Sequence, residues 1–262
     1  MAFYVVYTGS KRRETKHLDR LDLGALATVV EPFAGSAAVA RSLPHLRAVI
    51  NDADPSLMAF YDRVAASGFE PLKAAIREAL ESEESWQGKR KEVARRLRAG
   101  EVLSPELYVI RNESRNQYAR TVEYARRALA PKLAADFSAT DAWVRAAERS
   151  CGDWLEVAKR YAGDPTALIF LDPPYFSSYN AEYYGHQQQG IPGAENKDFT
   201  LVFVQIRDLL RDAAAAVVLI VNDCAILREL LGPWVRDTYA KTYGSGTKAA
   251  HMLVSNRPLK EA

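Results

Sequence analysis

The sequence Asp-Pro-Pro-Tyr at residues 172–175 is the strongest chemical signal in the chain. It follows an apolar run, Ala167–Leu171, which predicts a buried strand that ends before Asp172. The two prolines fix the backbone and lack N–H donors, so their carbonyl groups and the Asp172 carboxylate remain as acceptors. Paired acceptors suit an amine that carries two N–H groups, and the ring of Tyr175 offers a flat face on which a base can stack.

A second polar loop, Glu-Pro-Phe-Ala-Gly-Ser-Ala at residues 31–37, follows an apolar run at 27–31 and precedes a helical pattern. Its small residues let the backbone approach a ligand closely at the carboxyl end of a sheet. The loop has a single glycine, Gly35, so the G-x-G-x-x-G dinucleotide fingerprint is absent. A tight turn without a ligand is the alternative interpretation of this loop.

A third polar loop begins at Asn51 and Asp52, at the end of an apolar run at 47–51. Asp52 lies 17 residues after Gly35, and an acid at this place is suited to accept hydrogen bonds from ribose hydroxyls. The structural alternative is that Asp54, ahead of a proline, caps a helix. Both interpretations hold together if Asp54 is the cap and Asp52 is the binding residue.

These three loops require strands that end at one edge of a sheet. A further apolar run at 215–221 follows an amphipathic helical pattern at Phe199–Asp212, and helical patterns also follow the first two runs. Continuous apolar runs that alternate with helices predict a parallel sheet covered on both faces. We therefore expect an α/β, doubly wound Rossmann-like fold, with residues 238–243 and 251–255 as a candidate antiparallel hairpin at one edge.

Residues 67–149 differ from the rest of the chain in composition. They are rich in Ala, Arg, Glu and Leu at helical spacing and contain no clear strand pattern. We expect a helical insertion there, within a catalytic domain formed by residues 1–66 and 150–262. Residues 86–132 contain 12 Lys or Arg against 5 Glu, a net charge of +7 in a chain whose total is +2. This basic segment indicates contact with a polyanion, although a solvated helix face has the same composition.

Composition narrows the class of protein. Of the 262 residues, 48% are hydrophobic and 26% are charged, as in ordinary soluble proteins. No apolar run reaches the ~20 residues that span a bilayer. The two cysteines and four histidines lack metal-ligand spacing. We expect a cytoplasmic protein with neither a membrane contact nor a metal site.

The polar loops together resemble those of the Dam-type (D12 class) N6-adenine-specific DNA methyltransferases. The matching segments are, in order, YTGSK at 7–11, EPFAGSAAVA at 31–40, NDADPSLMAFY at 51–61, CGDW at 151–154, LDPPY at 171–175, DFTL at 198–201 and MLVSN at 252–256. The predicted insertion matches the family loosely, at Arg-Asn-Glu-Ser-Arg-Asn, residues 111–116. The resemblance implies a methyltransferase fold with S-adenosylmethionine as cofactor and S-adenosylhomocysteine as product.

The resemblance also implies roles by position. The catalytic motif would consist of Asp172, Pro173, Pro174 and Tyr175. Within it, Asp172 and the Pro173 carbonyl would hold the target amine, and Tyr175 would stack on the base. Asp52 would bind ribose, and Asp153 would accept from the adenine amine of the cofactor. The residues that the resemblance places around the cofactor are Tyr7, Lys11, Phe33, Ala34, Gly35, Ser36, Asp52, Ala53, Asp153, Trp154 and Asp172. Those that it places near DNA are Arg111, Asn112, Arg115, Asn116 and Arg120.

The chain departs from the family pattern at Ser10 and Ala37, where many relatives have glycine. A methyl group at Ala37 would tighten the cofactor pocket, and we expect it to be tolerated if φ there is negative. The altered segment at 111–118 leaves the recognised DNA sequence open.

The resemblance implies transfer of a methyl group from S-adenosylmethionine to N6 of an adenine flipped out of double-stranded DNA. Double-stranded DNA is therefore the expected partner and a monomer the expected assembly; a restriction endonuclease of a restriction-modification system is considered as a further partner. Three alternatives stay open: an RNA methyltransferase, a cytosine-N4 DNA methyltransferase, and a DNA-binding homologue that has lost catalysis.

Overall fold

The computed structural model describes residues 11–114, 120–173, 199–242 and 248–261, and it divides them between two compact units. The sheet unit contains residues 11–53, 152–173, 199–242 and 248–261. The helical unit contains residues 54–114 and 120–151.

The described residues contain seven strands. They are β1 (Thr28–Glu31), β2 (Arg47–Asp52), β3 (Glu148–Cys151), β4 (Ala167–Leu171), β5 (Ala216–Asn222), β6 (Val235–Thr242) and β7 (Lys248–Ser255). All except β3 belong to the sheet unit, where their spatial order is β2-β1-β4-β5-β7-β6. The first four in this order are parallel, and β7 runs antiparallel to both β5 and β6. The predicted α/β, doubly wound Rossmann-like fold is confirmed, and so is its terminal antiparallel hairpin.

The helices of the sheet unit cover central strands that are largely apolar and buried. They are α1 (Ala38–Ser42), α8 (Trp154–Tyr161), α9 (Phe199–Asp212) and α10 (Ala225–Leu231), and 3-10 turns occupy Lys11–Arg13, Thr15–Arg20 and Gly232–Trp234. Every residue of β1 and β4 is buried. Ile169 and Val217 pack with Phe203 and Leu227 in one core cluster, and such burial on both faces is what a continuous apolar strand requires.

The spatial order of the strands reverses between β1 and β4. Strand β2 lies on the far side of β1, whereas β5 lies on the far side of β4. In open α/β sheets this reversal leaves a crevice at the carboxyl ends of the two central strands, where ligands bind. The loops that follow Glu31 and Leu171 therefore border the same crevice.

The helical unit contains α2 (Pro55–Ser67), α3 (Glu70–Ala79), α4 (Glu83–Arg98), α5 (Pro105–Ser114), α6 (Val122–Ala134) and α7 (Ser138–Ala146). Its core includes close aromatic pairs, with ring centroids 4.7 Å apart for Phe69 and Phe137 and 5.7 Å apart for Phe60 and Tyr108. Asp54 caps α2 as expected, since its Oδ1 accepts from the Ser56 backbone at 2.9 Å. The domain boundaries at 66/67 and 149/150 stay a prediction. No helix among the described residues is long and apolar enough to cross a membrane.

Candidate active site

Asn51, at the end of β2, ties three loops of the sheet unit together. Its Nδ2 donates to the backbone oxygens of Pro32 at 3.0 Å and Gly152 at 3.1 Å. Its own backbone oxygen accepts from the Ala34 N–H at 2.8 Å. The side chain is buried, so these bonds are shielded from water and hold the loops after β1 and before α8 against the end of β2.

Asp52 fixes the loop that follows β1. Its Oδ2 accepts from the Gly35 N–H at 3.0 Å, and Gly35 has a φ of 47°. This left-handed conformation is one that glycine adopts readily. The predicted ribose-binding acid therefore also holds the backbone of the small-residue loop, and its half-buried position leaves it at the rim of the crevice.

Ala37 does not have the negative φ on which its expected tolerance depended. Its φ is 50° and its ψ is 42°, and its side chain is fully buried. A left-handed alanine costs roughly 1–2 kcal/mol because Cβ crowds the following carbonyl oxygen. The structure thus corrects that expectation: the chain carries a methyl group where its own backbone favours glycine.

Asp153 and Trp154 begin α8 beside this loop. Asp153 is exposed, and its Oδ1 caps the helix by accepting from the Leu155 N–H at 2.7 Å. The ring of the buried Trp154 stacks on the half-buried ring of Phe33, with centroids 5.3 Å apart. Polar and aromatic groups predicted to surround the cofactor thus lie together here.

The other predicted cofactor residues on these loops differ in exposure. Ala34 and Ser36 are buried, whereas Ala53 is exposed. Tyr7 lies outside the described residues. The contact of all these residues with a cofactor stays a prediction.

Lys11 and Asp172 form a buried ion pair, although they are 161 residues apart in the chain. Lys11 Nζ donates to Asp172 Oδ1, and the Lys11 side chain is only 2% exposed. Asp172 follows β4 directly, and the next residue, Pro173, is buried. The structure therefore brings the N-terminal lysine of the predicted cofactor site to the predicted catalytic carboxylate. Pro174 and Tyr175 lie outside the described residues.

Two carboxyl groups at the ends of β1 and β4 have raised pKa values. Burial raises the pKa of Asp172, and the Lys11 ammonium opposes that rise. Burial also raises the pKa of Glu31, at the end of β1, to about 8, while backbone N–H donors of α1 oppose the rise and the charge of Asp172 adds to it. Two nearby carboxylates disfavour each other's ionisation, and the Lys11 ammonium, which contacts Asp172, favours the charged form of that group.

The predicted DNA-binding residues that the structure describes differ in exposure. Arg111 is buried and pairs with Asp54 at 3.1 Å, and Asn112 is buried and donates to the Tyr108 carbonyl at 2.8 Å. These contacts stabilise the helical unit and give neither side chain a solvent-facing position. Arg120 is exposed, whereas Arg115 and Asn116 lie outside the described residues. DNA contact by these five residues stays a prediction.

Sequence analysis does not single out Glu14 and Lys241, which form an ion pair next to this site. The charges of both act on the Asp172 carboxyl. The one available signal is that Glu14 follows Lys11 by three residues, the period of a 3-10 helix. Among the described residues, no cluster of three or more histidine, cysteine or carboxylate side chains is arranged to hold a metal ion.

The chain is similar to a known protein family and to solved structures. The family model for D12 class N6 adenine-specific DNA methyltransferases matches residues 7–232. Among solved structures, the chain is similar to the crystal structure of TrmN from Thermus thermophilus, with 13% identity and a TM-score of 0.38 over 96% of this chain. The chain spans about half, 48%, of that protein's length. No curated protein matches the chain.

Proposed function

Because the chain belongs to the D12 class N6 adenine-specific DNA methyltransferase family, we propose that it transfers a methyl group from S-adenosylmethionine to N6 of adenine in double-stranded DNA. The observation that carries the proposal is the position of Asp172 at the carboxyl end of β4, beside Pro173 and paired with a buried lysine.

Asp172 has a physical role in activating a weak nucleophile. The lone pair of the adenine amine is delocalised into the purine ring. Hydrogen bonds from its two N–H groups to the Asp172 carboxylate and the Pro173 carbonyl favour a pyramidal nitrogen with an available lone pair. As positive charge develops on N6, the carboxylate stabilises it. The extra proton then leaves N6 for Asp172 or for water.

Lys11 keeps Asp172 ionised in surroundings that otherwise favour its protonated form. A protonated carboxyl group would accept the amine hydrogen less strongly and would stabilise no positive charge. Lys11 is therefore part of the acceptor site in this proposal, through its contact with Asp172.

The residues at the crevice fit S-adenosylmethionine. When bound, this cofactor supplies a methyl group on a sulfonium centre whose positive charge is lost on transfer. Asp153 is exposed and uses its Oδ1 as a helix cap, which leaves Oδ2 as an acceptor for the cofactor's adenine amine. The Phe33 and Trp154 rings offer apolar contact, and Asp52 lies at the rim for the ribose hydroxyls.

The helical unit supplies a surface suited to DNA phosphates. Lys91 and Arg98 on α4 and Arg126 and Arg127 on α6 are exposed. Such side chains provide affinity without reading sequence. Reaction at N6 requires the adenine to leave the base stack, at a cost of a few kcal/mol. The Tyr175 ring would recover part of that cost by stacking on the flipped base.

The test is transfer of labelled methyl groups to unmethylated duplex DNA, followed by nucleoside analysis. We expect N6-methyladenine from the wild type and a rate at least ~100-fold lower for Asp172→Asn, which removes the charge but keeps the shape. Asp212→Asn, at an exposed aspartate of the sheet unit, is the matched control. Cofactor binding to each variant, measured by calorimetry, separates a loss of chemistry from a loss of fold.

The product decides between this proposal and its alternatives. N4-methylcytosine in place of N6-methyladenine would identify a cytosine enzyme, and label in RNA alone would identify an RNA methyltransferase. Cofactor binding without transfer to any nucleic acid would indicate a homologue that has lost catalysis.

A further inference from the structure

The described part of the N-terminal segment, residues 11–20, contacts the sheet through side chains spaced three residues apart. Lys11 reaches Asp172, Glu14 reaches Lys241, His17 stacks on Tyr239 with centroids 4.1 Å apart, and Arg20 reaches Asp237 at 2.6 Å. We call Lys11, Glu14, His17 and Arg20 the N-terminal ladder. Its last three members contact alternate residues of the single strand β6.

Two different backbone periods make this match. The segment is a pair of 3-10 turns, in which Glu14 N donates to Lys11 O and His17 N to Glu14 O. Three residues of 3-10 helix advance about 6 Å, and two residues of a strand advance about 6.6 Å. Alternate residues on one face of β6 therefore have nearly the same spacing as successive ladder residues, which allows all three contacts.

The ladder becomes more buried towards Lys11. The Arg20 side chain is 45% exposed, whereas His17, Glu14 and Lys11 are buried. The Glu14 Oε1 pairs with Lys241, and its Oε2 is buried and accepts no hydrogen bond within the described part of the chain. Separation of the pair would leave the buried Glu14 carboxylate without a compensating charge, which is strongly destabilising. Glu14 and Lys241 are therefore held in place relative to each other.

We propose that the N-terminal ladder is a positioning device, in which the contacts of Glu14, His17 and Arg20 with β6 hold Lys11 on Asp172. These three residues act through Lys11 and are positioning residues for the methyl-transfer site, so the functional part of the inference rests on the proposed function. The charged and titratable groups around the Lys11–Asp172 pair are Glu14, Glu31, Lys241 and His251.

The first test measures how readily the Lys11 amine reacts with an acylating reagent. A short pulse of labelling on the whole protein, followed by peptide mass spectrometry, reports how often the ion pair opens. We expect Glu14→Gln to raise the rate of Lys11 labelling at least ~10-fold, Tyr239→Leu to raise it less, and Arg20→Gln to raise it least. Arg211→Gln is the matched control, because Arg211 is also an exposed arginine paired with an aspartate of the sheet unit.

The second measurement is kcat for methyl transfer by the same variants, with their melting temperatures. We expect kcat to fall most in Glu14→Gln, less in Tyr239→Leu and least in Arg20→Gln, in step with the rise in Lys11 labelling. The melting temperatures show whether each variant is folded. Restoring a shorter carboxylate with Glu14→Asp should recover part of the kcat lost in Glu14→Gln.

The outcomes separate the two proposals, because the labelling needs neither cofactor nor DNA. Lys11 labelling at the wild-type rate in a folded Glu14→Gln protein would overturn the positioning role. If Glu14→Gln does not fold, Arg20→Gln provides the test, because Arg20 is exposed. Lys11 labelling in Arg20→Gln at the rate found in Arg211→Gln would then overturn the positioning role. A graded labelling result with no methyl transfer by the wild type would leave the ladder in place and refute the proposed function.

Discussion

Glu31→Gln tests whether the crevice at the centre of the sheet holds a protonated carboxyl group. Glu31 is 3% exposed; its Oε2 accepts from the Ala40 N–H at 2.9 Å and its Oε1 from the Val39 N–H at 3.5 Å. Burial raises its pKa from 4.5 to about 8, the charge of Asp172 adds to the rise, and Lys11 and the two backbone donors oppose it. Glutamine has the same shape without the charge and keeps an oxygen for the shorter hydrogen bond.

The Glu31 carboxyl group keeps its proton to a higher pH in the native protein than in the unfolded chain. Its contribution to the free energy of unfolding is therefore fully present below pH 4.5 and decreases as the pH rises to about 8. The loss is about 1.4 kcal/mol per pH unit, or roughly 5 kcal/mol over the whole interval. The glutamine does not titrate. The free energy of unfolding of Glu31→Gln, relative to wild type, should therefore rise with pH across this interval and level off above it.

Urea denaturation at several pH values and constant ionic strength measures this difference. Glu229→Gln, at an exposed glutamate of α10, is the control, and we expect its difference from wild type to stay constant within about 0.5 kcal/mol. A difference for Glu31→Gln that is flat between pH 5 and 8 would refute the reasoning. A difference that falls with pH would show that the native protein favours the ionised form.

Three further predictions concern the loop, the ion pair and the helical unit. Ala37→Gly should change the free energy of unfolding by less than about 1 kcal/mol, because relief of the left-handed strain is offset by a lost buried methyl group and a more flexible unfolded chain. Ala37→Val should destabilise the protein by at least about 2 kcal/mol, and equal effects in urea denaturation would contradict the φ of 50°. Lys11→Met should raise the pKa of Asp172 and move the acidic limb of the rate profile to higher pH, whereas the exposed Lys260→Met should leave it in place. Lys91→Gln combined with Arg98→Gln should reduce the slope of log K for DNA against log salt by about 2. An unchanged slope, as expected for Arg207→Gln with Arg211→Gln, would place the phosphate contacts elsewhere.

The sequence predicts the parallel strands well because their burial is uniform. The apolar runs at 27–31 and 47–51 differ from β1 and β2 by one residue at one end, the run at 215–221 differs from β5 by one residue at each end, and Ala167–Leu171 coincides with β4. A strand covered on both faces needs apolar residues at every position, so its pattern depends little on the identity of its neighbours. The sequence also predicts the loops that follow these strands, because polar residues appear directly after each buried strand ends.

Other features depend on partners that no local pattern reveals. Strand β3 consists of Glu148, Arg149, Ser150 and Cys151, none of them buried, so the sequence carries no strand signal there. The N-terminal ladder requires a period of three in one segment to meet a period of two in another segment more than 200 residues away. The φ of Ala37 is fixed by the turn around it, where the Ala37 N–H donates to the Ala34 carbonyl. Alanine ordinarily has a negative φ, so the residue type alone favours the opposite conformation at this position.

The reversal of strand order explains how the predicted catalytic carboxylate, Asp172, comes to lie near a second carboxyl group, Glu31. Parallel pairing of Val30 with Ile169 brings the ends of β1 and β4 to the same edge, so Glu31 and Asp172 enter the crevice within a few residues of each other in register. The charge of Asp172 adds to the raised pKa of Glu31, because each carboxylate disfavours the ionisation of the other. The Lys11 ammonium contacts Asp172 and the charge of Lys241 also acts on it, while backbone N–H groups contact Glu31. The ammonium groups oppose the rise that burial causes in the pKa of Asp172, whereas burial raises the pKa of Glu31 to about 8. An ionised Asp172 would place its negative charge where the proposed reaction develops a positive one.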